Sequence, residues 1–233
     1  MYKRQAQPHG QSIKSSAGSD TGSTVSATQR VVEDLRARII QGKLAPGEKL
    51  KIESLKTLLN SGASPIREAL SLLTSDQLVE RIDQRGFKVA PASADHFREI
   101  LMLRCQLDII GLKSSIDLGD TDWEERLQLA HKSLAADPRD NIEHWESLHK
   151  AFHTTLLSAC NSPILLRFCT QLYDLNIRYR YLAGTSEDYS TRDVAREHRD
   201  IMQASLERNT ELAVSRLMSH YTLTGEFLAD RFE

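Results

Sequence analysis

The sequence predicts a mainly α-helical fold in two parts: a small N-terminal module of helices with one β-hairpin, followed by a bundle that is helical throughout. Apolar residues recur at helical spacing from Thr28 onward and again beyond residue 95. Strand-like apolar runs are confined to residues 78–90. With 233 residues, 40% of them apolar, the chain is long enough for two small domains, each with a core.

Residues 1–25 are predicted to form a flexible tail. They are rich in Ser, Gly, Gln and Thr and hold scarcely any large apolar residue, so they cannot bury enough surface to offset the entropy of ordering. No apolar run in the chain approaches the length that crosses a bilayer, and no hydrophobic segment follows the basic N-terminal residues. We therefore expect a soluble, cytoplasmic protein with no membrane partner.

The N-terminal module, residues 26–91, is predicted to begin with a helix from Thr28 to Gly42, where the helical pattern stops. The segment LAPGEKL follows, and its Pro46 and Gly47 suit the two central positions of a type II turn. The pattern therefore predicts a helix and then a tight turn.

Two short amphipathic helices come next, over residues 52–59 and 64–77, joined by NSGA, which contains the glycine that a tight turn between helices tolerates. Ser64 is the expected N-cap of the second of these helices. The apolar runs 78–82 and 87–90 flank the polar DQRG, which is a β-hairpin pattern. Three helices followed by a hairpin are the layout of a winged helix-turn-helix domain.

The charge of the chain is unevenly distributed. Residues 1–90 hold 14 Lys and Arg against 9 Asp and Glu, whereas residues 91–233 hold 16 against 23. A basic front part suits a nucleic-acid partner, although a modest excess of this kind is weak evidence by itself. Together with the winged layout, it favours DNA binding.

Residues 95–231 are predicted to form the second domain, an antiparallel helical bundle, because strand patterns are absent there. The connector APASAD before it is the expected hinge. The helices are expected at roughly 95–117, 121–136, 140–160, 162–183, 190–207 and 210–231.

A pair of histidines marks the middle of this bundle. The stretch LHKAFHTTL places His149 and His153 four residues apart, on one side of a helix and about 6 Å apart at Cβ. Such a pair could share a metal ion, but two histidines packed in a core would give the same pattern. HKAFH also lacks the Glu of the HExxH motif, which argues against a zinc-protease type of hydrolysis.

Three segments, IIQGKLAPGEKL, SPIREALSLL and LVERIDQRGFKVAP, closely resemble the GntR family of bacterial transcription regulators. The back half is similar to the FCD ligand-binding domain of its FadR-like subfamily, and the resemblance covers about residues 28–230. It implies a homodimer joined through the bundle, and two-fold symmetry favours a palindromic operator in double-stranded DNA.

The resemblance also implies a set of DNA-binding residues. Arg67, in PIREAL, matches the base-reading arginine of the second helix, which can grip a guanine through two hydrogen bonds. Ser64 matches a hydroxyl that contacts phosphate at the start of that helix. Arg85 and Gly86 lie at the expected tip of the wing, where a long cation and a bare backbone can approach phosphate or the minor groove.

One position departs from the family pattern. Where many members read SRTPVREAL, this chain has Ala63 in place of the first arginine. We therefore expect a different operator sequence or affinity. Lys49, Lys51 and Lys56 are candidates to supply phosphate contacts instead, and each of them is as readily explained as plain surface.

Four histidines match the metal-binding positions that the resemblance implies: His149, His153, His198 and His220. The family usually has Asp where His149 stands, so this substitution leaves the strength and identity of the site open. Imidazoles bind Zn²⁺, Ni²⁺, Fe²⁺ or Cu²⁺, with zinc our first expectation. They bind only when neutral, so occupancy is expected to fall as the pH drops through about 6.5.

Replacing Asp by His removes a negative charge. An ion held by four neutral ligands keeps its full charge and favours an anion in an open coordination position. The alternative is a closed tetrahedral zinc site with a structural role.

Arg104 matches an arginine that points into the ligand cavity in the family and is suited to clasp a carboxylate with two hydrogen bonds. Asp108, one turn on, is expected to hold it, and a purely structural ion pair explains these two residues as well. Asn161 and Tyr173 are weaker candidates for lining the effector site. The predicted effector is a small carboxylate.

The resulting prediction is a ligand-responsive transcription regulator, with repression relieved by the effector as the commoner family behaviour, and not an enzyme. The first alternative is a metalloenzyme that uses the histidine-rich site to activate water. The second is a protein-binding adaptor that uses the wing as an interaction surface.

Overall fold

The computed structural model of the chain describes residues 26–83, 85–184, 192–229 and 231–232. The tail predicted over residues 1–25 lies outside this part. Within it the elements follow in the order α1 (Ala27–Ile40), β1 (Lys49–Leu50), α2 (Ile52–Leu59), α3 (Ala63–Ser75), β2 (Val79–Ile82), β3 (Gly86–Val89), α4 (Ala94–Leu118), α5 (Thr121–Ala136), α6 (Ile142–Leu157), α7 (Pro163–Ala183), α8 (Val194–Leu206) and α9 (Thr210–Ala229).

The predicted mainly α-helical fold is confirmed, with a winged helix-turn-helix followed by a helical bundle. The turn after α1 is the expected type II turn, since Gly47 has φ 76° and the Glu48 N–H donates to the carbonyl of Ala45 over 3.0 Å. The two-residue strand β1, which was not predicted, pairs with β3 and gives the sheet order β1-β3-β2. Two residues are too few to show a strand pattern in the sequence.

The helix that was predicted to follow a Ser64 cap begins one residue earlier. Its N-cap is Gly62, in extended conformation, and Ser64 is exposed inside the first turn. The prediction of Ser64 as N-cap is therefore wrong. Pro65 then occupies the third helical position, where its missing N–H still removes no intrahelical hydrogen bond.

The wing is a tight hairpin of β2 and β3, with Val79 opposite Val89 and Ile82 opposite Gly86. Gly86 has φ 97°, a conformation that side chains disfavour, and a Cβ there would meet nothing within 4 Å. Its backbone is therefore open to approach from outside.

In the bundle, side-chain caps set the helix starts. Ser93, Asp120, Asn141 and Ser162 accept hydrogen bonds from the first turns of α4 to α7 respectively. Helix α6 is shorter than predicted. Of the helix expected over residues 190–207, α8 covers Val194–Leu206, and residues 190–191 lie outside the described part. Among the described residues, no helix is both long and apolar enough to span a bilayer.

The winged module and the bundle share apolar packing. The module's core residues, such as Leu35 and Leu70, form one cluster with Leu175 and Tyr179 of α7. A second cluster lies deeper in the bundle and contains Phe152. Helix α7 therefore belongs to both parts of the molecule.

The connector expected to be a hinge is held by α7. The buried Arg178 guanidinium donates to the carbonyl of Ala90. The Tyr179 hydroxyl accepts from the Ser93 N–H at 3.3 Å and lies 2.8 Å from Nδ1 of His96. A change in the position of α7 would therefore act directly on the segment that joins the two domains.

Candidate metal centre and DNA-binding surface

Four histidines from three helices meet inside the bundle: His149 and His153 from α6, His198 from α8 and His220 from α9. One nitrogen of each lies within 4.8 Å of the corresponding nitrogens of the others. All four side chains are buried, and none is more than 4% exposed. The structure thus brings together the four residues that the sequence grouped, and we call them the histidine cluster.

Helix geometry explains the convergence. His149 and His153 are one turn apart on α6, with their Nε2 atoms 3.1 Å apart. Helices α8 and α9 form a hairpin, and it brings His198 and His220 together with ring centroids 4.7 Å apart. The ring of His153 on α6 stacks on the ring of His220 on α9, with ring centroids 5.3 Å apart.

Two tyrosines orient the rings of α6. Nδ1 of His149 lies 2.6 Å from the hydroxyl of Tyr173, and Nδ1 of His153 lies 3.2 Å from the hydroxyl of Tyr221. The Tyr221 hydroxyl donates its proton to Asp108 at 2.7 Å, so it accepts from His153. That assignment places the proton of His153 on Nδ1 and leaves the Nε2 lone pair directed at the cluster.

A carboxylate orients the ring of His220. Oε2 of Glu197 lies 2.6 Å from Nδ1 of His220, and Arg192 grips the same carboxylate at 2.5 and 3.1 Å. Partial burial raises the pKa of Glu197, but the hydrogen bonds from His220 and Arg192 outweigh it and leave the pKa below its ordinary value. A carboxylate behind a histidine is a common arrangement around metal ligands.

Burial keeps the cluster neutral. It lowers the pKa of His149, His153 and His198 well below the ordinary value, and repulsion among the rings adds to the effect. Burial also lowers the pKa of His220, although Glu197 opposes this. Only the neutral imidazole binds metal. Because the pKa values are lowered, protons should begin to compete with the metal at a pH below the value of about 6.5 that was expected from the sequence.

The surroundings of the cluster contain polar atoms with unused hydrogen-bonding capacity. Among the described residues, buried atoms without a hydrogen-bond partner include Nε2 of His198, Nη2 of Arg104, Oδ1 of Asp108, Oε2 of Glu146 and Nε1 of Trp145. Each unsatisfied buried group costs about 1–3 kcal/mol. The four neutral histidine nitrogens converge, and buried polar atoms without partners surround them. This arrangement suits a divalent cation of intermediate softness, such as Zn²⁺, together with a further polar ligand.

Arg104 lies beside the cluster. Its guanidinium carbon is 4.8 Å from the ring centroid of Tyr173 and 4.1 Å from that of Tyr221. It donates to Asp108 at 3.4 Å and to Asn176 at 2.9 Å, while Nη2 has no partner. The ion pair with Asp108 therefore exists, and the N–H donors of Nη2 remain for a ligand.

The other two effector candidates have different surroundings. Tyr173 is buried, and its hydroxyl contacts His149. Asn161 is exposed in the turn between α6 and α7, with φ 53°. The location of Asn161 gives no support to its predicted effector role.

Sequence reasoning missed one buried carboxylate near the cluster. Glu146 lies one turn before His149, with Oε2 3.6 Å from Nδ1 of that ring, and forms an ion pair with Arg180 at 2.9 Å. Burial raises the pKa of Glu146, although Arg180 opposes the shift. Its three-residue spacing from His149 was a local signal that could have identified it.

The residues predicted to contact DNA lie on the surface of the winged module. Helix α3 is the second helix of the helix-turn-helix, and the hairpin is the wing. All six are exposed: Ser64, Arg67, Lys49, Lys51, Arg85 and Gly86.

Two family models match the chain. Residues 27–89 match the model described as "Bacterial regulatory proteins, gntR family", and residues 99–223 match the FCD domain.

Curated relatives match most of the chain. It is 35% identical over 202 residues to the HTH-type transcriptional regulator BphR of Paraburkholderia xenovorans (strain LB400), covering 84% of this chain and 82% of the relative. It is 32% identical over 198 residues to the HTH-type transcriptional repressor GlaR of Escherichia coli (strain K12), covering 82% and 90%. Among solved structures, E. coli McbR/YncC has the same fold, with a TM-score of 0.78 at 21% identity and coverage of 90% and 100%.

The lowered histidine pKa values predict how stability depends on pH. Between the lowered pKa values of the folded chain and about 6.5, the unfolded chain binds protons that the folded chain does not. The metal-free protein should therefore be most stable above about pH 6.5 and lose stability as the pH falls. We expect its thermal midpoint to drop by at least about 4 °C between pH 7 and pH 5.

The measurement is a thermal melt in chelator at several pH values, with His153→Gln as the comparison. This variant removes one of the titrating rings, so its midpoint should vary less with pH. A midpoint that rises toward pH 5, or a pH dependence identical in the two proteins, would contradict the account.

Proposed function

The chain belongs to the gntR family of bacterial regulatory proteins and carries an FCD domain, and from that premise we propose a specific regulator. It is a repressor that binds a palindromic operator as a homodimer and is controlled by a small organic acid bound beside a metal ion. Its family and relatives are transcription regulators and not enzymes, and the relative GlaR is named a repressor. The observation that carries the control mechanism is the buried, neutral histidine cluster.

The proposed DNA contacts divide into base reading and positioning. Arg67 is exposed on α3 and has the reach and the forked donors to grip a guanine in the major groove. Ser64, Lys49 and Lys51 contact phosphates and fix the register, and Arg85 with Gly86 approaches the backbone or the minor groove from the wing. Two copies related by a two-fold axis read the two halves of the operator.

The proposed metal ligands are His149, His153, His198 and His220, with zinc as the first expectation and nickel, iron or copper as alternatives. When bound, the ion supplies a positive charge that no protein ligand neutralises. Arg104 offers a second positive centre through its unused Nη2 donor, and Asp108 holds its guanidinium. Together they suit a carboxylate effector.

Helix α7 is the proposed route from this site to the DNA-binding module. One face carries the side chains of Tyr173, Asn176 and Arg180, which contact His149, Arg104 and Glu146. The 3- and 4-residue steps between them keep these side chains on one side of the helix. Occupation of the site therefore bears directly on the position of α7.

The opposite face of α7 contacts the winged module. Asp174 lies 3.7 Å from Arg36 of α1 and also pairs with Lys150, while Arg178 and Tyr179 hold the connector. An effector changes DNA affinity only if it binds one arrangement of α7 and the winged module better than another. Because α7 contacts both the proposed effector site and the winged module, ligand binding and DNA binding can each favour one position of this helix.

The alternatives have less support. The metalloenzyme reading conflicts with the family and with the relatives, all of which are regulators. If the chain were a protein-binding adaptor, the exposed side chains of Arg67 and Ser64 on α3 would have no role.

The variant Arg67→Ala tests the DNA assignment. Removing a guanine-reading arginine should weaken operator binding by about 1–3 kcal/mol and relax sequence preference. Gel-shift titration against specific and scrambled DNA measures both effects. Arg126→Ala, which removes an exposed arginine of α5, is the matched control and should bind like the parent; unchanged operator affinity in Arg67→Ala would refute the assignment.

The variant Asp174→Asn tests the route through α7. In the parent, loading with metal and acid should change operator affinity by about 5–150-fold, the usual range of allosteric coupling. The variant keeps the shape of the side chain but loses the charge that faces Arg36, so its coupling should be smaller while its metal content stays the same.

Operator affinity measured with and without ligands gives the coupling in each protein. Asp117→Asn, at the exposed end of α4, is the control and should couple like the parent. Equal coupling in parent and Asp174→Asn would exclude this contact as part of the route.

A further inference from the structure

The junction between the winged module and the bundle contains a buried arginine whose charge is not neutralised within the described part of the chain. The side chain of Arg178, on α7, is fully buried. Its Nη2 donates to the carbonyl of Ala90, whereas Nε and Nη1 have no hydrogen-bond partner among the described residues. Burial lowers the pKa of Arg178, and the one group there that opposes this is the phenol of Tyr179. A buried charge without a counter-ion is costly, and an anion at the junction would offset that cost.

A cavity of about 510 Å³ lies beside this arginine, between the winged module and the start of α4. Its wall includes Glu80 and Arg81 of β2, Ala90 and Ser93 of the connector, and His96 of α4. The carbonyl of Ala90 accepts from Arg178, so the guanidinium lies directly behind this part of the wall. A buried charge is weakly screened, and it therefore attracts an anion in the cavity.

The groups at the α4 end of the cavity are hydrogen-bond donors. The Ser93 hydroxyl oxygen accepts from the N–H of His96 at 3.2 Å, which leaves its own proton to donate. The Tyr179 hydroxyl accepts from the N–H of Ser93 and is kept protonated by burial, which raises its pKa, so it donates to Nδ1 of His96. The proton of His96 is then on Nε2. The N-terminus of the 25-residue helix α4 adds a favourable partial charge.

The charges on the wall also favour an anion. Arg81 is exposed, and its guanidinium carbon lies 5.9 Å from the ring centroid of Phe87. Glu80 is the one acidic residue of the described wall, and it pairs with Lys88 at 2.8 Å. Burial lowers the pKa of His96, and the charge of Arg178 lowers it further against the opposing effect of Glu99 and Glu80, so this ring is neutral at pH 7. Two arginine charges therefore remain.

We propose that this cavity binds the phosphate group of a small molecule and that the bound group ties the winged module to the bundle. A tetrahedral anion accepts hydrogen bonds in several directions, here from Ser93, His96 and Arg81, while the charge of Arg178 attracts it from behind the wall. Small-molecule sites occupy about 300–1,000 Å³, so the cavity has room for a phosphate ester as well as for free phosphate. The inference goes beyond the proposed function, because the site uses neither a metal nor the histidine cluster.

Thermal melts of the full chain test the site, in chelator so that no metal binds the added anion. Inorganic phosphate should raise the midpoint saturably, by about 2–4 °C at about five times its dissociation constant. Chloride at equal ionic strength, and succinate, should leave the midpoint unchanged. Glycerol 3-phosphate distinguishes the two sources of the anion: tighter binding than phosphate identifies a phosphate ester as the ligand, and equal binding identifies free phosphate.

Three variants locate the site. Arg178→Met removes the buried charge and keeps an apolar side chain in its space, so phosphate affinity should fall by about tenfold. Arg81→Gln changes an exposed residue of the wall, should fold normally and should weaken binding several-fold, which keeps the test available if Arg178→Met does not fold. Arg98→Gln is the matched control. It removes an exposed cation near the start of α4 that does not line the cavity, and it should bind phosphate like the parent.

Operator affinity tests whether the bound anion ties the domains together. In the same chelated buffer, saturating phosphate should change the affinity of the parent by about fivefold or more relative to chloride of equal ionic strength. Arg178→Met should not show this change at the same phosphate concentration. Gel-shift titration measures the effect in both proteins.

Four results would overturn the inference. A midpoint that does not respond to phosphate refutes the site, and so does unchanged phosphate affinity in both folded variants. Equal stabilisation by succinate refutes the choice of phosphate. Unchanged operator affinity of the phosphate-bound parent refutes the tie between the domains. These measurements are made without metal, so none of the four results bears on the proposed metal-dependent control.

Discussion

The structure depends on one constraint, which is that four imidazoles buried around a single point must all remain neutral. Protonating any of them would place a buried charge among its neighbours, and both burial and repulsion between the rings oppose that. Hydrogen-bond partners behind His153 and His220 direct Nε2 lone pairs inward. Apolar side chains at these positions would give a more stable core, since each unsatisfied buried polar atom lowers the stability of the fold by about 1–3 kcal/mol. The arrangement is therefore better explained by binding than by packing.

The same constraint gives helix α7 its importance. Residues that orient the cluster and residues that hold the winged module alternate along this one helix, so neither set can move without the other. Tyr173 and Asp174 are neighbours in the chain, yet the first contacts His149 and the second faces Arg36. The connector between the domains, expected from its sequence to be a hinge, is tied to α7 by Arg178. This arrangement can transmit a small displacement at the site, because packed elements shift between discrete positions.

The sequence was sufficient for the fold and for the candidate ligands. Helical periodicity located the bundle helices to within a few residues, and the family resemblance grouped histidines that are up to 71 positions apart, His149 to His220. Two of the partners behind those histidines were not predictable. Tyr221 and Glu197 reach the site only through the packing of α8 and α9, and nothing in local spacing identifies them.

The errors also have physical causes. Ser64 has the side chain of an N-cap, but Gly62 provides the extended backbone that starts the helix. Asn161 was a weaker candidate for lining the effector site, and it is exposed in the turn between α6 and α7 with φ 53°. In both cases the type of residue suggested a role, and the backbone conformation at that position does not support it.

The proposed site would be distinguished by its charge, because His149 stands where the resemblance implies an Asp, and four neutral ligands would leave a divalent ion uncompensated. X-ray absorption spectroscopy of the zinc-loaded protein tests this most directly, because it reports the number and type of atoms around the ion. The account predicts four imidazole nitrogens at about 2.0–2.1 Å. A first shell with fewer than four imidazoles, or a protein that retains no metal after dialysis, would contradict it.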